Sequence, residues 1–434
     1  MSTKISAEMQ LHNVPISSRP PLSSHTLPKA GKLLLHQLGF NIFFFLTCTI
    51  IHLFQLVVLP IRLLDGVRYR ALIRWTKECF SSLLSVVTWI FGRTDIHIWR
   101  DGDGMSKHSA QDLGWDRYSI NICNHQDYAD WIYLWVLLKS ASVSSGICII
   151  LKESLEHVPI LGWAMQMFNF IFIGKHKLLQ QPLNSTFGLP QVTRQAVKDS
   201  APFSLLLFPE GTLVSRLTRP KSAAFSKQLN QPDLEYALLP RAKGLHYSLQ
   251  TYLQIIPGQK FTVYDITMAY PLPWYGSSAS SSIEDREKSE TPVYAQDYYT
   301  LQSVYGRGVA PPQMGILIES INIRDIPGLR FRDSSTKSSD LDLDEMSQAS
   351  IQKDEDDFNE WIYKRWRLKD ERLAHYAKYG VFSNDIRHAT ESRTSLEYKP
   401  TTEDWTRLGL VSIGSILGAW GWYYVLGAVY HFLA

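Results

Sequence analysis

The chain has 434 residues, of which 45% are hydrophobic and 12% aromatic, enough for a sizeable core together with membrane segments. A formal net charge of +3 does not advertise nucleic-acid binding, so no nucleic-acid partner is expected. The four cysteines, Cys48, Cys79, Cys123 and Cys148, have neither zinc-knuckle spacing nor the pattern of a disulfide scaffold.

Residues 1–32 are rich in Ser, Pro and His, lack a clear period, and are expected to be disordered. From Leu33 to Ile61 there is no Asp, Glu, Lys or Arg. A bilayer core needs roughly 20 apolar residues as helix, so this run is expected to span a membrane; it is also longer than a signal-peptide core. Arg62, Arg68, Arg70, Arg74 and Lys77 follow it, against Arg19, Lys29 and Lys32 before it, and the positive-inside bias puts the following chain in the cytosol. Phe80–Phe91 is too short for a secure span. It reads as an interfacial or re-entrant helix, with a buried helix docked under the domain that follows as the equal alternative. Residues 33–93 are therefore assigned to membrane-anchoring helices.

Thr94–Trp99 alternates like a strand. Further strand patterns follow at Ile120–Cys123, Ile147–Leu151, Phe170–Ile173, Phe203–Phe208, Thr262–Tyr270 and Gly315–Ile323. Helical stretches are expected around Trp131–Leu138, Gly162–Phe168, Leu189–Asp199 and His246–Leu253. The fold class is α/β, a mixed and partly parallel sheet with flanking helices over residues 94–327, with N- and C-terminal transmembrane helices added. Residues 328–357 form an acidic, Ser-rich insertion expected to be disordered. Residues 358–407 hold an amphipathic helix, with Trp361 and Trp366 among basic residues, and a linker. Residues 408–434, free of formal charge, are expected to form a C-terminal transmembrane helix.

Two turns carry the chemistry. Ser119–Asp130 reads S-I-N-I-C-N-H-Q-D-Y-A-D and puts His125 and Asp130 where a strand hands over to a helix. Residues five apart lie about 140° apart on one straight helix. The pair works if His125 sits in the turn and Asp130 in the first turns of the helix, so that the carboxylate fixes the imidazole's tautomer. Cys123, on the strand, reads as a small core residue before it reads as a nucleophile; the base would act on a hydroxyl of the substrate. In Leu205–Thr212, Glu210 supplies a carboxylate and Gly211 and Thr212 a flexible turn that a substrate can approach. Basic stretches around Lys175, and at Arg241 and Lys243 before a helix, suit a phosphate group.

These motifs resemble those of the glycerolipid and lysophospholipid acyltransferases. Asn124–Asp130 is similar to their N-H-x-x-x-x-D motif, Phe172-Ile173-Gly174-Lys175 to the second block, Phe208-Pro209-Glu210-Gly211-Thr212 to the third, and Leu239–Gly244 to the fourth. The Y-D-I-T-M-A-Y-P stretch and the tail helices look like the lysocardiolipin and lysophosphatidylinositol acyltransferase branch. The resemblance implies a glycerol-3-phosphate acyltransferase-like fold and transfer of an acyl group from acyl-CoA, as co-substrate, to a lysophospholipid hydroxyl without a cofactor. It makes His125 and Asp130 catalytic and makes Glu210, Gly211, Thr212, Lys175, Arg241 and Lys243 substrate-binding. Lys175 stands where the second block usually has Arg, so a bidentate fork is missing there. The resemblance also implies an endoplasmic reticulum membrane, with a mitochondrial membrane second. Two other readings stand beside it: a metal-dependent hydrolase using His125, Asp127, Asp130 and Glu210, and a non-enzymatic membrane scaffold.

Overall fold

In the computed structural model, residues 30–101, 114–173, 188–270, 294–331, 348–382 and 393–433 are described. The expected disorder of residues 1–29, and Lys175, lie outside them. Among the described residues there are eight strands: β1 (Asp95–Asp101), β2 (Tyr118–Cys123), β3 (Ile147–Lys152), β4 (Ile171–Ile173), β5 (Phe203–Leu207), β6 (Thr262–Ala269), β7 (Gln313–Ile321) and β8 (Thr394–Ser395). They form one sheet in the order β4-β3-β5-β2-β6-β7-β1-β8. All neighbours are parallel except β6 with β7 and β1 with β8. The sheet is thus mixed, as expected for this fold class. Central strands β2, β5 and β6 are buried almost throughout, which is why they read as short apolar runs rather than strict alternation.

Helices α4 (Asp130–Ser140), α5 (Leu161–Met167), α6 (Gly188–Lys198) and α8 (Ala242–Ile255) fall on the four expected stretches. An unexpected helix, α7 (Arg219–Gln228), has the sequence R-P-K-S-A-A-F-S-K-Q, which carries no apolar period. Pro220 in its first turn presets the helical φ and offsets that lack.

The N-terminal helix α1 (Ala30–Val57) begins at Ala30, inside the segment expected to be disordered. A short helix α2 (Ile61–Leu64) leads to α3 (Gly66–Phe91), whose N-cap Asp65 accepts from the backbone N–H groups of Val67 and Arg68. Residues 81–88 of α3 are buried. Phe80–Phe91 is therefore the inner half of a long helix docked against the domain, not an interfacial or re-entrant segment. Ser81, Ser82 and Ser85 break its apolar run without exposing it. Each finds an acceptor: Ser82 Oγ donates to Asp404 Oδ1 at 2.7 Å, Ser81 and Ser85 to carbonyls one turn back.

The helix α9 runs over Gln348–Tyr379, so residues 348–357 of the insertion expected to be disordered are helical, while residues 332–347 of it lie outside the described residues. Its first acidic residues have partners that composition does not reveal: Arg330 pairs with Asp354 at 2.9 Å. The last helix, α10 (Thr402–Leu433), starts six residues before the expected 408. Leu33–Leu64 and Thr402–Leu426 are long and apolar enough to cross a membrane. The two pack together where Gly418 faces Val57 and Gly414 faces Phe54, and Ser415 Oγ donates to the Ile50 carbonyl at 2.9 Å. Small residues at a four-residue interval allow this close approach. Leu34, Leu38 and Ile42 of α1 and Ile413, Ile416 and Trp420 of α10 are exposed, an apolar surface suited to lipid.

Candidate active site

Strands β2 and β5 are parallel neighbours, with Ile122 opposite Leu207, so the turns that leave them open side by side at the carboxyl edge of the sheet. The first turn is locked by Asn124. Its side chain accepts from Met268 N at 2.8 Å and donates to the Met268 carbonyl at 2.8 Å, tying the turn to β6. His125 follows, and Asp130 is the first residue of α4. His125 Nδ1 donates to Asp130 Oδ2 at 2.9 Å, while the backbone N–H groups of Gln126 and Asp127 donate to the same oxygen at 2.7 and 3.0 Å. The other oxygen accepts from Tyr270 Oη at 2.5 Å. Asp130 is wholly buried, whereas the His125 side chain keeps 20% of its surface and stacks on Phe208 at 4.2 Å. With Nδ1 committed to the carboxylate, Nε2 is left as the proton acceptor.

The turn after β5 is bonded to the first by Val214 N, which donates to the His125 carbonyl at 3.1 Å. Glu210 is buried, and Trp366 Nε1 from α9 donates to its Oε1 at 3.2 Å. Burial pushes the Glu210 carboxyl up to about 8. Gly211 has φ +71°, a conformation that suits glycine, and Arg241 Cδ lies 3.5 Å from the place a Cβ would take. Arg241 N donates to the Pro209 carbonyl at 2.7 Å, which ties the start of α8 to the Glu210 turn. Arg241 caps the N-terminus of α8 and Lys243 lies in its first turn, both exposed.

His125, Glu210, Gly211, Thr212, Arg241 and Lys243 all line one cavity of about 2100 Å³. Its apolar wall comes from Phe40, Phe44, Cys48 and Ile51 of α1, Phe80 of α3, and Trp131 and Trp135 of α4. Lys221 of α7 lines it as well. No expectation attached to Lys221, because a lone lysine in a polar helix carries no signal. Cys123 is buried and its thiol is pushed well above its usual range by burial, a core residue rather than a nucleophile. Asp127 is also buried. Its Oδ1 accepts from Ala129 N at 2.7 Å, and burial together with Asp130 raises its carboxyl well above the usual range. Among the described residues, no group of three or more His, Cys, Asp or Glu is arranged to hold a metal.

Helix α9 contributes more to the site than its sequence suggests. Besides Trp366, it supplies Asp370, which accepts from the N–H groups of Glu235, Tyr236 and Ala237 at 2.9, 2.7 and 2.8 Å. The Tyr236 carbonyl in turn accepts from Gln126 Nε2 at 2.7 Å. The helix therefore braces both turns from behind.

A carboxylate-backed imidazole and a cationic helix end that open on one cavity suit acyl transfer, and residues 106–269 match the family model described as Acyltransferase. The curated relatives that the chain resembles are glycerolipid and lysophospholipid acyltransferases. It is 29% identical over 379 residues to the 2-acyl-1-lysophosphatidylinositol acyltransferase of Saccharomyces cerevisiae, covering 79% of this chain and 84% of that one. It is 34% identical over 154 residues to lysocardiolipin acyltransferase 1 of Danio rerio, covering 35% and 38% of the two chains. With 1-acyl-sn-glycerol-3-phosphate acyltransferase 2 of Brassica napus it shares 23% identity over 238 residues, 53% of this chain and 56% of the other.

Proposed function

We propose that the protein is a membrane-bound O-acyltransferase that moves a fatty acyl group from acyl-CoA to a free hydroxyl of a lysophospholipid, with lysophosphatidylinositol as the first candidate acceptor. The observation that carries this reading is that one cavity is lined by an apolar wall from α1, by His125 and by the cationic start of α8. The apolar wall suits an acyl chain and the cations a phosphate, and the base opens on the same cavity. Phosphatidylinositol chemistry is put first because the yeast relative aligns over most of both chains, whereas the lysocardiolipin relative aligns over about a third. Lysophosphatidic acid and lysocardiolipin share the hydroxyl beside a phosphate-bearing headgroup and stand next.

His125 acts as general base and Asp130 holds its tautomer. As the acceptor oxygen attacks the thioester carbonyl, its proton passes to His125 Nε2 and the new C–O bond forms. The tetrahedral adduct then expels the sulfur of coenzyme A. The C–S bond breaks, and the proton held by His125 returns to the leaving thiolate. Atoms and electrons balance without a covalent acyl-enzyme. Arg241 and Lys243, with the N–H groups at the start of α8, hold the acceptor phosphate. Glu210, largely protonated at neutral pH with its carboxyl at about 8, offers a hydroxyl contact to the acceptor headgroup. Lys175 adds a second cation to the phosphate in this reading. The catalytic domain faces the cytosol on an endoplasmic reticulum membrane, in line with the basic residues after α1.

The test is a competition in mixed detergent micelles. Purified protein receives oleoyl-CoA and equimolar lysophosphatidylinositol, lysophosphatidic acid and lysocardiolipin, and products are read by mass spectrometry. Preferential formation of phosphatidylinositol supports the headgroup assignment. Preferential acylation of another acceptor replaces it, and release of free fatty acid alone refutes the transferase.

A further inference from the structure

Just past the end of β6, Tyr270 reaches the side of the catalytic pair that lies away from His125. Its hydroxyl donates to Asp130 Oδ1 at 2.5 Å, while Oδ2 takes His125 Nδ1 and two backbone N–H groups. Tyr270 is 4% exposed and stacks on Tyr299 at 5.9 Å, with Tyr133 at 6.3 Å. It is not among the residues lining the substrate cavity. Its backbone is fixed relative to the pair, because Met268, two residues earlier, is bonded in both directions to Asn124 beside His125.

Resting on the reading of His125 as the base, we infer that Tyr270 is a positioning residue for the acyl transfer, acting through Asp130. A carboxylate held at one oxygen can swing about its Cβ–Cγ bond. A donor on the second oxygen pins its plane, so that Oδ2 stays aimed at Nδ1. The phenol also takes up part of the carboxylate's charge, which tempers the pull of Asp130 on an imidazolium. Glu210 is the nearby carboxylate that the motifs single out, but it lies on the other turn. Tyr270, outside the four motif blocks, closes the chain of bonds from β6 to the base.

The titratable groups around the pair are Asp127 in the same turn, Cys123 at the end of β2, Tyr133 on α4, Tyr299, Glu210 after β5 and Lys369 on α9. Burial raises the carboxyl of Asp127, the thiol of Cys123 and the phenols of the two tyrosines above their usual ranges.

The test compares wild type with Tyr270→Phe in the full-length protein in detergent. Phe keeps the ring packing and removes only the donor. Turnover is expected to fall roughly tenfold with KM for both substrates within about twofold, since no substrate contact is lost. Freed of the phenol, Asp130 favours the imidazolium more, so the acid limb of the kcat profile moves to higher pH. The pH at which diethyl pyrocarbonate half-modifies His125, followed on its peptide by mass spectrometry, moves with it. A purely structural role would lower the melting temperature and leave both midpoints in place. Should Tyr270→Phe fail to fold, 3-fluorotyrosine inserted at 270 keeps the ring and strengthens the donor, and both midpoints are expected at lower pH. Midpoints that coincide with wild type overturn the inference. Because the modification curve needs no turnover, a shifted midpoint alongside a fully active His125→Ala variant would sink the base reading while leaving the Tyr270–Asp130–His125 coupling standing.

Discussion

At Glu210 a carboxyl with an ordinary value of 4.5 is raised to about 8, because it is buried and only partly compensated by Trp366 Nε1. Between these two values the folded protein binds more protons than the unfolded chain, so this residue makes stability fall as pH rises from about 4.5 to about 8. Glu210→Gln cannot ionise and keeps an oxygen for Trp366. Denaturant melts in detergent from pH 5 to 9 are expected to show the variant losing that decline, a gain on the order of a few kcal/mol relative to wild type at pH 8. An unchanged slope would mean that the carboxyl is already ionised at neutral pH. His125 and Asp130 were legible in the sequence because both fall within one strand-to-helix handover of twelve residues. The contacts of Tyr270, although it lies in the Y-D-I-T-M-A-Y-P stretch, and of Trp366 were not, since their partners stand 140 and 156 residues away and a side chain acting across such a gap leaves no local trace of its partner.

Among the elements, α9 departs furthest from its sequence. Its apolar spacing from Phe358 to Tyr376 was readable as helix, but charge composition hid both its start at Gln348 and the face it docks. The reason is that its charged residues are consumed inside the fold. Lys369 is buried, and its Nζ donates to Asp265 Oδ1 at 2.6 Å and to the Ile266 carbonyl at 2.7 Å. Arg365 adds bonds to Asp265 and Glu319 at 2.7 Å each. This cluster fastens α9 to β6 and β7, and through Trp366 and Asp370 the helix reaches the site. Lys369→Met leaves a buried carboxylate short of one cation, and a loss of about 3–5 kcal/mol is expected, read as a lower denaturant midpoint. Retention of the wild-type midpoint would mean that Arg365 alone neutralises Asp265. The central strands were the more legible elements, because burial on both faces forces an apolar run that the sequence cannot disguise.

Across the whole molecule, the helix that meets lipid is also a wall of the substrate cavity. Phe40, Phe44, Cys48 and Ile51 of α1 line it, while Leu34, Leu38 and Ile42 of the same helix face outward. An apolar run of this kind announces a membrane helix, yet it does not say that one face lines a cavity, since both faces require the same residue types. In the proposed reaction the acyl chain lies against this wall, so its length would be read by α1. Cys48→Trp adds bulk to the wall, and activity is expected to fall more with long-chain than with short-chain acyl-CoA, measured as the ratio of kcat/KM between oleoyl-CoA and decanoyl-CoA. A ratio equal to that of wild type would place the acyl chain elsewhere.

In the proposed reaction the acyl group passes directly from the thioester to a lipid hydroxyl, with His125 as the base. The most direct measurement follows labelled oleoyl-CoA and lysophosphatidylinositol in one reaction, quantifying labelled phospholipid and free thiol together for wild type and His125→Ala. Equal amounts of phospholipid and thiol from wild type, with both lower by about 10²–10⁴-fold in a variant of unchanged melting behaviour, are the result predicted. Wild-type levels of phospholipid from His125→Ala, or thiol from wild type without acylated lipid, would contradict it.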